Sequence, residues 1–295
     1  MTSNTVSSSG LACSVLASVL FGIVPWYVQL LGMEGNLLFW NRISFTTVTI
    51  VAILWLQRRW PEVRTIFQSP RTMVYLGLGT VIIGIQWWLF VWAPVNGQTK
   101  ELSLGYFLLP LTLALTGRLV YKETIRPLQK LAIVFAGIGV LAEIHQQGSL
   151  PWVAITVAGL YPFYFMLRRK VDVAPLPGMF FENLLFFPIA LFILLTDTHF
   201  HNLLNTSGDL MFLLPGLGIL CGSSMLFYIA ASRKLPVSLF GLLGYLEPAV
   251  IFLVAILILR EPFNAEQMLT YGFIWLAATI TSFDSIRLVR ASAAT

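Results

Sequence analysis

The sequence predicts an all-α membrane protein in which ten transmembrane helices form two five-helix repeats of inverted topology. Three observations support this prediction. Apolar residues make up 57% of the 295 residues and charged residues only 11%, whereas about 25% of the residues of a soluble domain are charged. Apolar runs of about 20 residues recur along the chain, and a helix of that length crosses about 30 Å of hydrocarbon. Two stretches of the chain, 138 residues apart, also repeat each other.

Each helix is placed on an apolar run bounded by Pro, Gly, Asn or Ser residues, as at Gln68-Ser69-Pro70 before the third helix. The segment before the first run contains no Lys or Arg, so we interpret that run as a retained helix and not as a signal peptide. The runs are continuous rather than alternating, which disfavours a β-barrel. The predicted helices span residues 10–31, 37–57, 72–93, 102–121, 127–144, 150–168, 178–196, 210–231, 237–259 and 266–287.

The basic residues give these helices a direction, because Lys and Arg are enriched in cytoplasmic loops. All of the 18 Lys and Arg residues except Arg42, Lys100 and Arg260 fall in segments that are cytoplasmic if the N-terminus is inside. With ten helices, the C-terminus is then cytoplasmic as well. The net charge of +5 is therefore a topology signal, and it does not indicate a nucleic-acid partner.

The repeat consists of matched residues at matched spacing. A second pattern, Gly-x-x-Pro-x-Tyr, begins at Gly22 and again at Gly159. Because each unit holds an odd number of helices, the second unit enters the membrane from the opposite side, and inverted repeats of this kind are typical of secondary transporters. We place the two units at residues 10–144 and 150–287. The matched pairs are Gly84 and Gly222, Ala93 and Ala231, Pro110 and Pro248, Glu123 and Glu261, and Gln129 and Gln267.

The sequence lacks the signatures of common enzymes. It contains no Walker loop, no Gly-x-Ser-x-Gly elbow and no His-Glu-x-x-His motif. Cys13 and Cys221 both lie in apolar runs, where they are interpreted as packing residues. We therefore expect no catalytic residue, no cofactor and no metal site.

Glu247 is the first candidate for a substrate or coupling site, because it lies near the middle of the ninth predicted helix. A charge placed in mid-bilayer costs roughly 2.5–3.5 kcal/mol on insertion scales, so such a residue usually faces a cavity or a partner. Pro248 follows it and allows the helix to bend or open there. The alternative is a structural carboxylate paired with an arginine or with the backbone. In the first repeat the matching position is Leu109, so any chemistry at Glu247 is asymmetric.

Arg42 and Glu182 form a second candidate pair. Arg42 lies inside the second helix beside Asn41, and Glu182 lies inside the seventh helix beside Asn183. Opposite charges at related places in inverted halves suggest a cavity lined by both, with Asn41 as a further polar contact. The alternative for Arg42 is that its side chain extends to the outer headgroups.

Polar aromatic residues near these helices are candidates for the walls of a cavity. Such side chains can stack against an amphipathic or aromatic solute. The alternative is a place in the aromatic belts at the membrane interfaces. The candidates, together with one neighbouring amide, are Tyr27, Gln86, Trp87, Tyr106, Tyr164 and Tyr245.

Four of the repeated residues are predicted to be structural. Glu123 and Glu261 sit at membrane boundaries just before the fifth and tenth helices, where acidic side chains cap helix N-termini and favour the helix dipole. Pro110 and Pro248 occupy matching places within the fourth and ninth helices.

Several motifs spread along the chain also form a recognisable set. They are Gly22-Ile-Val-Pro25, Trp87-x-Leu-Phe-x-Trp92, Ser103-Leu104-Gly105-Tyr106-Phe107 with Pro110, Gly148-Ser-Leu-Pro151, Gly178-Met179 with Glu182, and Phe273-Ile274-Trp275. Together with the two five-helix halves, they resemble the EamA family of the drug/metabolite transporter superfamily, and within it the RarD subgroup. The resemblance covers nearly the whole chain. It implies a bacterial inner-membrane protein of ten helices, with a ligand cavity between its halves, that moves a small organic metabolite without ATP. Where the superfamily has a Gly-Glu pair after the fourth helix, this chain has Lys122-Glu123, and the second half has Arg260-Glu261.

The sequence thus predicts an alternating-access permease for a small organic metabolite, either amino-acid-like or amphenicol-like. The partners expected are the solute, the lipid bilayer and, as a hypothesis, protons as the coupling ion through Glu247. A membrane sensor or scaffold that transports nothing is the alternative. The direction of transport and the oligomeric state do not follow from these residues.

Overall fold

Apolar helices account for most of the chain. The computed structural model describes residues 8–122, 124–148, 150–198, 200–201, 210–235, 240 and 243–293, and no β-strand occurs within these ranges. In the first half the helices are α1 Ser8–Leu30, α2 Gly35–Leu56, α3 Trp60–Phe67, α4 Pro70–Val95, α5 Thr99–Tyr121 and α6 Pro127–Gln147. In the second half they are α7 Trp152–Arg168, α8 Pro175–Thr196, α9 Leu210–Lys234, α10 Leu246–Leu253 and α11 Gln267–Ala293.

Ten of these helices correspond to the ten predicted from the sequence, which confirms the predicted all-α membrane fold. Seven described helices are long and apolar enough to cross a membrane, and α7 and α10 with its π-helical continuation are shorter apolar helices. The tenth is α11, which packs along α6. Most helix ends lie within a few residues of the predicted positions.

The short helix α3 was not predicted, because the sequence places residues 58–71 in a loop. It is amphipathic: Val63 and Ile66 are buried, while Arg64 between them is exposed. Pro61 lies in its first turn, where a backbone N–H would have no partner within the helix. A single buried stripe over eight residues is too short to be seen as an apolar run, which explains why the prediction missed this helix.

The ninth predicted helix differs from its expected form. Residues 244–245 form a turn, α10 begins at Leu246, and the segment Val254–Ile258 continues it as a π-helix. Pro248 therefore lies in the first turn of α10, where it removes no helical hydrogen bond. Its counterpart Pro110 lies in the interior of α5. The turn thus lies just before Glu247, and residues 237–239 and 241–242 of the predicted helix lie outside the described residues.

The basic residues gather at one end of the helices, which we call the basic face. It holds the loop between α2 and α4, the loop between α5 and α6, and the end of α7, with residues such as Arg59, Lys122, Arg126 and Arg169. At this face Arg126 in the loop before α6 forms an ion pair with Asp284 of α11, with 2.7 Å between Nε and Oδ2. The loop between α10 and α11 lies at the opposite face.

The helices pack in a pattern that is preserved when the two halves are exchanged. Exchange relates α1 to α7, α2 to α8, α4 to α9, α5 to α10 and α6 to α11. Helix α1 packs on α9 as α4 packs on α7, and α5 packs on α7 as α10 packs on α1. Helices α2 and α8 pack on each other, as do α6 and α11. This pairing is what an inverted repeat requires, while the boundaries of the two units stay a prediction.

Glu261 joins the loop before α11 to the start of α5. Its carboxylate accepts hydrogen bonds from the backbone N–H groups of Thr99 (2.7 Å) and Lys100 (3.0 Å). The side chain therefore caps a helix N-terminus, and the helix is α5 and not the following helix α11. The matching residue Glu123 lies outside the described residues.

The residue before each of these glutamates has a left-handed backbone. Lys122 has a φ of 57° and Arg260 a φ of 54°. Only glycine adopts this conformation without cost, and other residues lose about 1–2 kcal/mol. A glycine at either position would adopt this conformation without that cost.

Gln129 and Gln267 form matching hydrogen bonds in the two halves. The side-chain oxygen of Gln129 accepts from the backbone N–H of Arg126, at 3.1 Å. The oxygen of Gln267 accepts from the backbone N–H of Asn264, at 3.2 Å. Each glutamine thus bonds three residues back across the start of the last helix in its half, as in a capping box.

Four apolar clusters occur among the described residues, and the two largest form most of the core. The larger cluster joins α1, α2, α4 and α9, with residues such as Val24, Leu38, Leu89 and Leu217. The other joins α5, α6, α10 and α11, with residues such as Leu104 and Tyr271.

Candidate functional site

Arg42 carries a buried charge that forms no ion pair with any described residue. It lies on α2 with 4% of its surface exposed. Its Nε and Nη1 atoms have no hydrogen-bond partner within the described ranges, and no ion pair reaches it there. Its guanidinium carbon lies 5.3 Å from the centroid of the Trp87 ring on α4, so a cation–π contact holds the group in place.

Two tyrosines from different helices meet beside this arginine. The hydroxyls of Tyr106 on α5 and Tyr161 on α7 are 3.5 Å apart, and their ring centroids are 5.9 Å apart. Arg42 and Glu247 both act electrostatically on the two hydroxyls. Five helices thus bring Arg42, Trp87, Tyr106, Tyr161 and Glu247 together, and we call these five residues the central cluster.

Glu247 supplies the negative charge of the central cluster. It lies in the first turn of α10, deep in the protein but with part of its surface accessible. No residue in the described part of the chain hydrogen-bonds or forms an ion pair with its carboxylate. The hydroxyl of Ser103 on α5 donates to the carbonyl of Pro248 at 2.7 Å, which ties α10 to α5 beside the glutamate.

Glu182 lies in a different group of residues. Its carboxylate is 1% exposed and accepts a hydrogen bond from the Tyr164 hydroxyl at 3.0 Å. The Nη1 atom of Arg168 lies 3.9 Å from its Oε1. A Cβ on Gly178 would stand 2.3 Å from that Nη1, so the glycine makes room for the guanidinium. We call Tyr164, Arg168 and Glu182 the latch, because they join the basic-face ends of α7 and α8.

No hydrogen bond or ion pair joins Arg42 to Glu182 among the described residues, so the structure does not bring these two charges together. The central cluster and the latch are nevertheless neighbours. Tyr161 and Tyr164 lie one turn apart on α7 and act electrostatically on each other. The latch thus lies between the central cluster and the basic face.

Gln86 and Tyr27 use their polar atoms to hold helices together. The amide nitrogen of Gln86 donates to the carbonyls of Thr156 (3.1 Å) and Val157 (3.3 Å), which joins α4 to α7. The hydroxyl of Tyr27 donates to the carbonyl of Leu213 at 2.8 Å, which joins α1 to α9. All three hydrogen bonds are interhelical contacts, in which a side chain donates to a backbone carbonyl of another helix.

Tyr245 and Asn41 also lie apart from the central cluster's contacts. The Tyr245 ring stacks on Phe107 of α5, with centroids 6.5 Å apart, in the core around α11. Asn41 is fully buried next to Arg42, and neither atom of its amide has a hydrogen-bond partner in the described residues. Asn41 is therefore a further polar group without an internal contact.

Sequence reasoning did not single out Tyr161 or Arg168. Tyr161 immediately precedes the proline of the second Gly-x-x-Pro-x-Tyr pattern, which was the signal available. Arg168 was counted as a topology charge at the end of a helix. Its role became visible only when α8 brought Glu182 against it. Within the described ranges no group of three His, Cys, Asp or Glu residues is placed to hold a metal ion.

Comparison with known proteins agrees with this architecture. The model of the EamA-like transporter family matches residues 151–283. The "Chloramphenicol-sensitive protein RarD" of Pseudomonas aeruginosa is 40% identical over 293 residues, which is 98% of this chain and 98% of that protein. The "Protein RarD" of Escherichia coli is 31% identical, covering 94% of this chain and 95% of that protein.

Two further matches concern function class and fold. An uncharacterized transporter of Vibrio cholerae is 31% identical, covering 95% of this chain and 94% of that protein. A solved crystal structure with 17% sequence identity gives a TM-score of 0.60, covering 95% of this chain and 99% of that chain. At that identity the likeness shows the fold alone.

Proposed function

Because the chain belongs to the RarD subgroup of the EamA-like transporter family, we propose that it is a secondary carrier for a small zwitterionic organic solute. It is a multi-pass transporter of the bacterial inner membrane. The proposal adds the class of solute, the residues that bind it and the way it crosses.

The unneutralised charge of Arg42 is the observation that supports this solute. A buried charge without a partner costs several kcal/mol, and proteins keep such a charge when a ligand completes it. The carboxylate of a solute would form paired hydrogen bonds with the guanidinium. Because the Arg42 guanidinium lies over the Trp87 ring, the solute's carboxylate would have to approach the guanidinium from another side.

Glu247 provides the second point of recognition. It also has no ion-pair partner in the described residues, and it acts on the same tyrosine pair as Arg42. A solute with an ammonium group would place that group toward Glu247 and its carboxylate toward Arg42. The rings of Tyr106 and Tyr161 would contact the part between them. These contacts favour an amino-acid-like solute over an amphenicol, which is neutral.

The inverted packing supports alternating access. Two halves that pack in equivalent ways can exchange their arrangements, and the site between them then opens to one side and afterwards to the other. We place the basic face in the cytoplasm, following the distribution of Lys and Arg. Reporter fusions at each terminus test that orientation, which requires both termini to be cytoplasmic.

Uptake into proteoliposomes tests the carrier proposal. Purified protein is reconstituted and supplied with radiolabelled phenylalanine, with unlabelled amino acids, their amides and chloramphenicol as competitors. We expect saturable uptake that free amino acids inhibit and their amides do not. The Arg42→Ala variant loses this uptake, while Arg64→Ala, an exposed arginine of α3, retains it.

The same experiment separates a carrier from a sensor or scaffold. A sensor would bind solute in detergent but would not accumulate it in vesicles. Inhibition by chloramphenicol alone would replace the zwitterion with an amphenicol as the solute class.

A further inference from the structure

A cavity opens at the basic face. It has a volume of about 420 Å³ and lies between the ends of α5 and α7. Its walls include Thr116, Tyr121, Phe165, Arg168 and Arg169. None of the described residues that line it is acidic, so the described walls bring two guanidinium groups to the cavity and no carboxylate.

Arg168 is only partly satisfied by the latch. At 3.9 Å from Glu182 its Nη1 is beyond hydrogen-bond distance, and this buried atom has no hydrogen-bond partner in the described part of the chain. The guanidinium thus faces Glu182 on one side and the cavity on the other. A long ion pair of this kind is weaker than a hydrogen-bonded one, and a better acceptor can replace it.

Arg169 is held at the other side of the cavity. Its guanidinium carbon lies 4.9 Å from the centroid of the Tyr121 ring at the end of α5. The cation–π contact fixes the direction of the charge without neutralising it. Phe165 continues the wall inward, and its ring stacks on Tyr161 of the central cluster at 5.8 Å. A molecule in the cavity would therefore be one aromatic ring away from the central cluster.

We propose that this cavity binds an amphipathic anion, whose carboxylate or phosphate oxygens take Arg168 from Glu182 and so release the latch. The anion would bridge Arg168 and Arg169, and its apolar part would contact Phe165 and Tyr121. Release of Arg168 leaves Tyr164 as the single described side chain of α7 that holds Glu182, so α8 becomes freer to move from α7 at the basic face.

Two sources can provide such an anion. One is a soluble aromatic carboxylate that reaches the cavity from the aqueous side. The other is the headgroup of an anionic phospholipid, because the cavity lies at the end of the helices, where headgroups are found. Both present oxygens to the same pair of arginines, and the experiment distinguishes them.

Protection of a cysteine in the cavity wall tests the site. Thr116→Cys is made in a chain with Cys13→Ala and Cys221→Ala, and its rate of reaction with a water-soluble maleimide is measured in detergent. The probes are benzoate, neutral benzamide and dioctanoyl phosphatidylglycerol. We expect benzoate or the phosphatidylglycerol to slow the reaction at least roughly threefold, because the guanidinium pair binds anionic oxygens. Slowing by benzoate identifies a soluble carboxylate, and slowing by the lipid alone identifies a headgroup site.

Variants of the latch make the test specific. Arg168→Gln should remove the protection, and Arg168→Lys should keep part of it. Glu182→Gln should lower the half-protecting concentration of the anion by about tenfold, since Arg168 no longer has a competing carboxylate. A purely structural arginine would give no gain in Glu182→Gln. Thermal unfolding of each variant identifies any that fails to fold.

Three results would overturn the proposal: no protection by either anion, equal protection by benzamide, or unchanged protection in Arg168→Gln. Arg42→Ala separates this site from the carrier proposal. It should abolish uptake of the transported solute and leave the protection of Thr116→Cys intact. Either proposal can therefore fail without the other.

Discussion

The guanidinium carbon of Arg42 lies 5.3 Å from the centroid of the Trp87 ring. Among the described residues, this cation–π contact takes the place of an ion pair. A full positive charge is thus buried, and its Nε and Nη1 atoms have no hydrogen-bond partner in the described part of the chain. An arrangement of this kind lowers the stability of the protein without solute and raises its affinity for an anionic group.

Replacement of Arg42 should therefore have opposite effects on stability and binding. We expect Arg42→Met to raise the free energy of unfolding by about 1–3 kcal/mol, because it removes an uncompensated buried charge from a similar volume. The variant should lose solute-dependent stabilisation. Unfolding by SDS titration with and without solute measures both quantities. Arg64→Met is the control and should change neither. A destabilised Arg42→Met would mean that the arginine has a structural partner.

Glu247 should carry the response to protons, if a proton gradient drives transport. We expect Glu247→Gln to leave solute exchange between equal pools measurable and to remove the stimulation of uptake by an inward proton gradient, because glutamine cannot take up or release the proton. Uptake in proteoliposomes at a series of external pH values gives the comparison.

The exposed residue Glu266 is the matched control for Glu247. Glu266→Gln should behave like the wild type at every pH. Wild-type rates and an unchanged pH dependence in Glu247→Gln would end the coupling hypothesis.

The cap on α5 should contribute measurably to stability. Glu261→Ala removes a charged acceptor from two backbone N–H groups, at 2.7 and 3.0 Å, so we expect a loss of about 2 kcal/mol of unfolding free energy. Glu261→Gln keeps one oxygen and should lose less. Glu266→Ala replaces an exposed glutamate of the same loop and should leave the free energy of unfolding nearly unchanged. Equal stability of all three variants would show that water replaces the cap.

The repeated glycines should be intolerant of a methyl group. A Cβ at Gly84 would lie 2.4 Å from the Phe186 ring, and one at Gly222 would lie 2.4 Å from Cγ2 of Thr49. Each alanine variant should lose about 1–3 kcal/mol through overpacking. In contrast, a Cβ at Gly137 meets nothing within 4 Å, and Gly137→Ala should be neutral or more stable by up to about 1 kcal/mol. Thermal unfolding in one detergent ranks the three.

The residues that contact the two matched glycines are also related by the repeat. Phe186 on α8 and Thr49 on α2 stand 137 residues apart, the same offset as the Gly-x-x-Pro-x-Tyr pattern. The sequence revealed the glycines because small residues at helix crossings recur as identities. It could not reveal their partners, because Thr and Phe are not recognisable as matching residues.

The candidate site was less predictable than the fold. Arg42 and Glu247 were chosen because a charge in an apolar run is costly, and that reasoning does not depend on neighbours. Gln86, Tyr27 and Tyr245 were chosen as possible walls of a cavity, but the Gln86 amide nitrogen, the Tyr27 hydroxyl and the Tyr245 ring form bonds or stacks between helices. Whether a buried polar group is open or occupied depends on which helix lies opposite, and the sequence does not state this.

The sequence by itself determined the all-helical membrane fold, its ten helices and their repetition, because hydrocarbon requires long apolar segments and a repeat preserves its spacing. Only the tertiary structure decided which buried charges remain open. Glu182 and Arg42 occupy related places, yet Tyr164 and Arg168 reach the first and no described acidic side chain pairs with the second. That difference arises because each charge is completed, or left incomplete, by residues of helices distant in the chain.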